Sequence, residues 1–253
     1  MNATRRAASI LAALAVTAAG GAAVAAQVPA HVAAALADKA RPEADVKRDA
    51  ARKPGEMLAF GEVKPGQKVV DLVMGGGYFT RLLSAAVGPN GRVYAYQPTE
   101  FVQFQASYGE NLKKVAAERA NVTPIQATFG EMDLPDGVDL VFTVQNYHDL
   151  HLTPFPKDTA QKVNAEVFKS LKPGGVYLIA DHSASAGAPL DVAMSLHRID
   201  QAIVRREVEA AGFRYEGEIP LLRDAADART VNVFQPAIRG KTDQFVMKFR
   251  KPR

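Results

Sequence analysis

The order of apolar runs, glycine turns and amphipathic stretches predicts an α/β protein built on a Rossmann-like, doubly wound seven-stranded sheet that is mostly parallel. Three observations carry this reading. Short apolar runs of strand length alternate with stretches whose apolar residues recur at helical spacing. Pro-Gly and Gly-rich turns separate the two kinds of segment. Neighbouring parallel strands need helical crossovers, so regular alternation implies helices on both faces of one sheet. The composition agrees: the 253 residues are 47% hydrophobic and 23% charged, a globular balance that excludes collagen-like and disordered classes. The chain has no Cys, which removes thiolate nucleophiles, iron–sulfur clusters and Cys-ligated zinc. Its net charge of +4 comes without a long basic run, so no nucleic-acid partner is expected.

Arg5 and Arg6 precede an uncharged stretch rich in Ala, Leu and Val that ends in Val24-Ala25-Ala26. That is the layout of a cleaved export signal over residues 1–26, with the mature chain starting near Gln27 in the periplasm. Ala carries little transfer energy and Gly20-Gly21 interrupts the run, so no stable membrane insertion is expected after signal removal. Residues 27–55 read as a helical lead-in. Charges of both signs crowd Asp38 to Lys53 on what reads as one solvated helix, and Pro54-Gly55 stops it. Residues 56–253 form the main domain.

Within that domain the first strand is Val69 to Val73, followed by Gly75-Gly76-Gly77 and a helix striped by Phe79, Leu82, Leu83, Ala86 and Val87. Gly88-Pro89-Asn90-Gly91 ends the helix. A strand from Arg92 to Gln97, a helix around Phe101 to Ala120, and strands over Val122 to Thr128 and Val138 to Gln145 follow. Val163, Val167, Phe168 and Leu171 stripe another helix, Lys172-Pro173-Gly174-Gly175 turns the chain, and Val176 to Ala180 is a fully buried strand. Asp200 is placed to cap a helix carrying Val204, Val208 and Ala211, and Phe213 to Ile219 and Gln244 to Phe249 close the chain as two strands.

Ligands of such sheets bind beyond the carboxyl ends of the strands. After the first strand, three glycines let a ligand approach the backbone and a helix N-terminus. After the fourth comes Gln145-Asn146-Tyr147-His148-Asp149-Leu150-His151, and after the fifth Asp181-His182. Several imidazoles on one sheet edge favour a site over plain loop caps. His148, Asp149 and His151 also offer metal-ligating atoms, but spacing of i, i+3 in a loop does not fix ligand geometry, and no metal is assigned. His197 reads as a helix-start residue and His31 as an exposed lead-in residue.

Lys64-Pro65-Gly66-Gln67-Lys68-Val69-Val70-Asp71-Leu72, the three glycines, Gly91 to Tyr96, Asp139-Leu140-Val141 and Leu171 to Gly175 resemble the successive motifs of class I S-adenosylmethionine-dependent methyltransferases. Asn146-Tyr147-His148-Asp149, Ala180-Asp181-His182, Leu196 to Asp200 and Arg239 to Asp243 resemble more narrowly an exported bacterial group of predicted methyltransferases. The resemblance implies a seven-stranded sheet with the last strand antiparallel, S-adenosylmethionine as cofactor and a small-molecule acceptor. It implies cofactor contacts at Asp71, Gly75 and Gly77, with Val73 in place of a first glycine. It also puts Gln97 where a carboxylate usually grips the ribose, Glu131 as the acid after the third strand, and Gln145 beside the cofactor. His148 is the candidate base, with Tyr147 and Asn146 orienting the acceptor and Asp149 or His182 in support. The alternative reading is a non-catalytic periplasmic small-molecule binder on the same fold; a metal-dependent hydrolase stands third.

Overall fold

The computed structural model describes residues 28–253, so the export signal expected over residues 1–26 lies outside the described residues. The lead-in forms α1 (Ala30–Leu36), two single turns, α2 (Glu43–Val46) and α3 (Asp49–Arg52), and then α4 (Pro54–Phe60). The single helix expected between Asp38 and Lys53 is therefore broken. Pro42 and Pro54 disfavour helical backbone in the residue before each, and Lys53 turns left-handed at φ 46°. What fixes the segment is polar: Arg41 donates to both Asp49 oxygens at 2.6 and 2.8 Å, and Tyr78 donates to Asp49 at 2.6 Å. Val32 and Ala35 are buried in the main core beside Met57 and Leu58 of α4, so the lead-in is packed rather than merely solvated.

The strands are β1 (Lys68–Leu72), β2 (Arg92–Pro98), β3 (Val122–Ala127), β4 (Val138–Val144), β5 (Leu171–His182), β6 (Arg214–Glu218) and β7 (Gln244–Arg250). They form one sheet in the order β3-β2-β1-β4-β5-β7-β6, with β7 antiparallel to both neighbours and the β1 to β5 pairings parallel. Alternate residues of the central strands feed two separate cores: Val69 and Leu178 pack on one face, Val70 and Ile179 on the other. That two-sided burial is why these strands read as continuous apolar runs. The edge strands β3 and β6 are only alternately covered.

Helices α5 (Tyr78–Val87) and α7 (Ser107–Glu118) cover one face; α8 (Thr159–Ser170) and α10 (Gln201–Ala210) cover the other. The helix expected over Phe101 to Ala120 is divided into α6 (Thr99–Phe104) and α7, because Gln105 is extended. Residues 171–175, expected as a helix end and turn, already belong to β5, where a register shift between Val138 and Leu140 absorbs the glycines. The short α9 (Val192–Leu196) precedes Asp200, whose Oδ1 accepts from Ala202 N as the cap of α10. Among the described residues no helix is long and apolar enough to cross a membrane.

Candidate active site

The turn after β1 is shaped by backbone. Gly75 (φ 57°) and Gly77 (φ 83°) are left-handed, and Gly77 starts α5 where a Cβ would lie 2.5 Å from Val115 Cγ2. Above Gly75 and Gly76 a Cβ would meet nothing within 4 Å, so the turn opens onto free space. Val73 is also left-handed at φ 65°, a strained conformation for a β-branched residue. Its side chain packs into the core of the α8 face, so it does not crowd the open side of the turn.

The flanking polar residues are turned inward. Asp71 accepts from Thr80 Oγ1 at 2.6 Å, and burial pushes its carboxyl up to about 6 against that bond. Gln97 is fully buried; its Oε1 accepts from Gly75 N at 2.9 Å, while its Nε2 has no partner. The amide thus ties β2 to the glycine turn. Glu131, expected as the acid after the third strand, is exposed and lines neither cavity described below. The carboxylate on that side is Glu100 at the start of α6: Oε1 accepts from Phe129 N, and Oε2 is buried without a partner.

Beyond the strand ends lies a cavity of about 880 Å³, walled by Phe101, Phe104, Phe155 and Phe234 and floored by Asn146, His148, Asp149 and His197. Gln145, left-handed at φ 65°, leaves β4 with its side chain on Gln244 Oε1. Asn146 donates to Val144 O at 2.7 Å and Val73 O at 3.3 Å, linking the cavity floor to the glycine turn. Tyr147 is corrected: its hydroxyl points into the interior, donating to Glu207 at 2.9 Å and accepting from Asn164, so it cannot orient an acceptor. His151 follows it, with Nε2 3.2 Å from Glu207.

His148 sits in a single turn of 3₁₀ helix, 3% exposed. Its backbone N donates to Asp181 Oδ2 at 2.7 Å, and its Nδ1 lies 2.9 Å from Oδ1. Burial alone would push the imidazole down; Asp181 and Asp149 overcome it and lift His148 to about 9. The two carboxylates thus favour the charged ring in the free protein, and His148 acts as a base only once Nε2 has given up its proton. Burial raises Asp149 to about 6 and depresses His182, whose Nδ1 meets Thr242 Oγ1 at 2.7 Å, to about 4.

His197, which sequence reading missed, completes the cluster. It is the left-handed residue ending α9 (φ 53°), with Nδ1 3.3 Å from His148 Nε2. Two long-range features hold it there. Arg198, fully buried, is paired twice with Asp227 at 2.7 and 3.1 Å, and Ile199 bridges to Ser183 just past β5. No local periodicity signals this; the sequence hint was only that Leu196 to Asp200 belongs to the narrower resemblance. His31 is half-buried, on Val63 O at 2.8 Å, rather than exposed.

A second cavity of about 480 Å³ adjoins the first through Gln145, His182, Val233 and Phe234 and is lined by Arg48, Arg52 and Arg239. Burial draws Arg52 down to about 10, its Nε lacks a partner, and its guanidinium lies over the Tyr78 and Phe79 rings at 4.6 and 4.9 Å.

Solved structures share this fold. A methyltransferase dependent on S-adenosylmethionine from Aquifex aeolicus matches 78% of this chain and 89% of its own with a TM-score of 0.54 at 22% identity. A putative sarcosine dimethylglycine methyltransferase from Galdieria sulphuraria matches 83% and 88% at 0.57 and 19%. The fold is that of the class I methyltransferases. No family model matches the chain. In sequence it is 31% identical over 141 residues to an arsenite methyltransferase of Halobacterium salinarum, covering 55% of this chain and 33% of that protein. It is 27% identical over 182 residues to the ubiquinone/menaquinone biosynthesis C-methyltransferase UbiE of Pasteurella multocida, covering 65% and 59%. The chain thus spans between a third and six-tenths of the length of these relatives.

Proposed function

We propose that this protein transfers a methyl group from S-adenosylmethionine to a small-molecule acceptor held in the larger cavity. The observation that carries the reading is the glycine turn of a methyltransferase-type sheet, open above Gly75 and Gly76 and tied to Gln97, whose Nε2 is buried without a partner, as are Glu100 Oε2 in the lining of the larger cavity and Arg52 Nε in that of the smaller. Orphaned buried groups of this kind are costly unless a ligand satisfies them. Gln97 and Glu100 would take the cofactor's hydroxyls, the turn would meet its backbone-facing edge, and Arg52 would face its carboxylate. When bound, the cofactor supplies a methyl group activated by its sulfonium, so the chain's own task is alignment and exclusion of water. The aromatic walls shape the acceptor's path, Asn146 fixes the floor, and His148 Nε2 is the group placed to meet the acceptor's reacting atom. A cavity of this size suits a small molecule, for which about 300–1,000 Å³ is usual.

Calorimetry with S-adenosylhomocysteine on the purified chain tests the reading. Saturable binding with a rise in Tm is expected; neither heat nor thermal shift, in the wild type or in Gln97→Glu, overturns it. We also propose that the chain belongs with exported bacterial methyltransferases, with residues 1–26 as the signal, on the layout of Arg5, Arg6 and the uncharged stretch ending at Ala26. A mature N-terminus near Gln27 in the periplasm supports that; an intact Met1 chain in the soluble cytoplasm overturns it.

A further inference from the structure

We infer that His148, Asp149 and His197 form a site for one divalent transition-metal ion at the floor of the larger cavity. His148 Nε2 lies 3.2 Å from Asp149 Oδ1 and 3.3 Å from His197 Nδ1, and the three ligand atoms lie within 4.8 Å of one another. Two ligands about 2.0–2.1 Å from a tetrahedral zinc ion stand roughly 3.3 Å apart, so both contacts have the span of a coordination edge. A hydrogen-bond account of the same cluster is poorer. Nε2 can offer one proton, yet two groups approach it at once, whereas a cation satisfies all three.

The surroundings are those of a ligating imidazole. Asp181, fully buried, holds His148 through both Nδ1 and the backbone N, which fixes the ring and directs Nε2 toward Asp149 and His197, the carboxylate–histidine–metal relay. His197 is kept in a left-handed conformation by the buried Arg198–Asp227 pair, and such backbone strain gathers at functional positions. His151 is excluded because its Nε2 faces Glu207. Two imidazoles and one carboxylate, with no thiolate in the chain, suit zinc, iron(II) or manganese(II) rather than a soft monovalent ion.

Three protein ligands leave a coordination position facing the cavity, the pattern of a catalytic rather than a structural site. Where the methyl-transfer reading holds, that position selects acceptors with an oxygen donor, such as a hydroxyl, whose proton the cation makes easier to lose. His148 then meets the acceptor through the ion.

The test is metal binding itself, separate from S-adenosylhomocysteine binding. Chain stripped with chelator is titrated with Zn²⁺ and with Co²⁺, the latter followed by its visible absorption. One equivalent is expected to bind at micromolar or lower concentration, with cobalt bands typical of four or five ligands. His197→Asn, which tolerates the left-handed backbone, and Asp149→Asn should each weaken binding by at least tenfold and alter the bands. Asp181→Asn, acting through His148, should weaken it by about 10–100-fold while leaving the band pattern. His151→Ala should bind as the wild type does. Circular dichroism confirms that each variant is folded. Absence of stoichiometric binding in the wild type, or binding undiminished in both His197→Asn and Asp149→Asn, overturns the site.

Discussion

At the ends of β1 and β2 the backbone makes the site; at the ends of β4 and β5 side chains make it. The first edge is a strained turn with three left-handed positions at alternate residues, Val73, Gly75 and Gly77, and the Gln97 side-chain oxygen is spent on tying Gly75 N. The second edge carries the buried His148, Asp149, Asp181 and His182 with the half-buried His197 against them, and His148, Asp149 and His182 are shifted far from their ordinary protonation. The difference separates two tasks. A turn that must fit close to a ligand's backbone-like edge is specified by absence of side chains. A centre that must act on a reacting atom is specified by charges held against burial, which persist only because each is paired.

Emptying the second edge should leave the first intact. His148→Ala should lower turnover by about two to four orders of magnitude, the range for loss of a group that acts on the reacting atom, and leave S-adenosylhomocysteine affinity nearly unchanged. Steady-state kinetics paired with calorimetry reads both; a parallel loss of affinity would show that the two edges are not separable. The converse experiment is Gly77→Ala, in which the new Cβ would meet Val115 Cγ2 at 2.5 Å in a left-handed residue. Urea unfolding should show a loss of about 1–3 kcal/mol, and a change below that range would mean the turn relaxes freely.

Smaller effects sharpen the reading of the first edge. Gln97→Glu keeps an acceptor for Gly75 N and removes the orphaned amide nitrogen. It should tighten S-adenosylhomocysteine by about fivefold, roughly 1 kcal/mol, and an unchanged Kd would detach Gln97 from the cofactor. Val73→Gly relieves strain of about 1–3 kcal/mol but gives up a buried side chain worth about 1.5–3 kcal/mol. Stability should therefore move by no more than about 2 kcal/mol, with affinity unaltered because the side chain lies in the core. Tighter binding in that variant would show that Val73 does crowd the cofactor.

These two edges were unequally legible. The strands over Val69 to Leu72 and Val176 to Ala180 could be read because residues buried on both faces must all be apolar. The glycine turn could be read because left-handed backbone demands glycine at Gly75 and Gly77. Tyr147 could not: in a turn after a strand, a neighbour of His148 points to the cavity or the core according to the local path of the 3₁₀ turn, and here it finds Glu207, 60 residues away. Glu131 failed for a related reason. The loop after β3 turns it outward, and the carboxylate facing the cavity comes from α6 as Glu100.

Local sequence sets the succession of the seven strands, the two-sided core and the turn after β1. Each depends on burial or backbone conformation encoded within a few neighbouring residues. Only the tertiary structure decided which imidazoles meet. His197 reaches His148 across 49 positions because Arg198 is clasped by Asp227 and Ile199 bridges to Ser183. Such contacts between loops depend on where distant segments are anchored, and a buried ion pair sets that anchor without leaving any period in the chain.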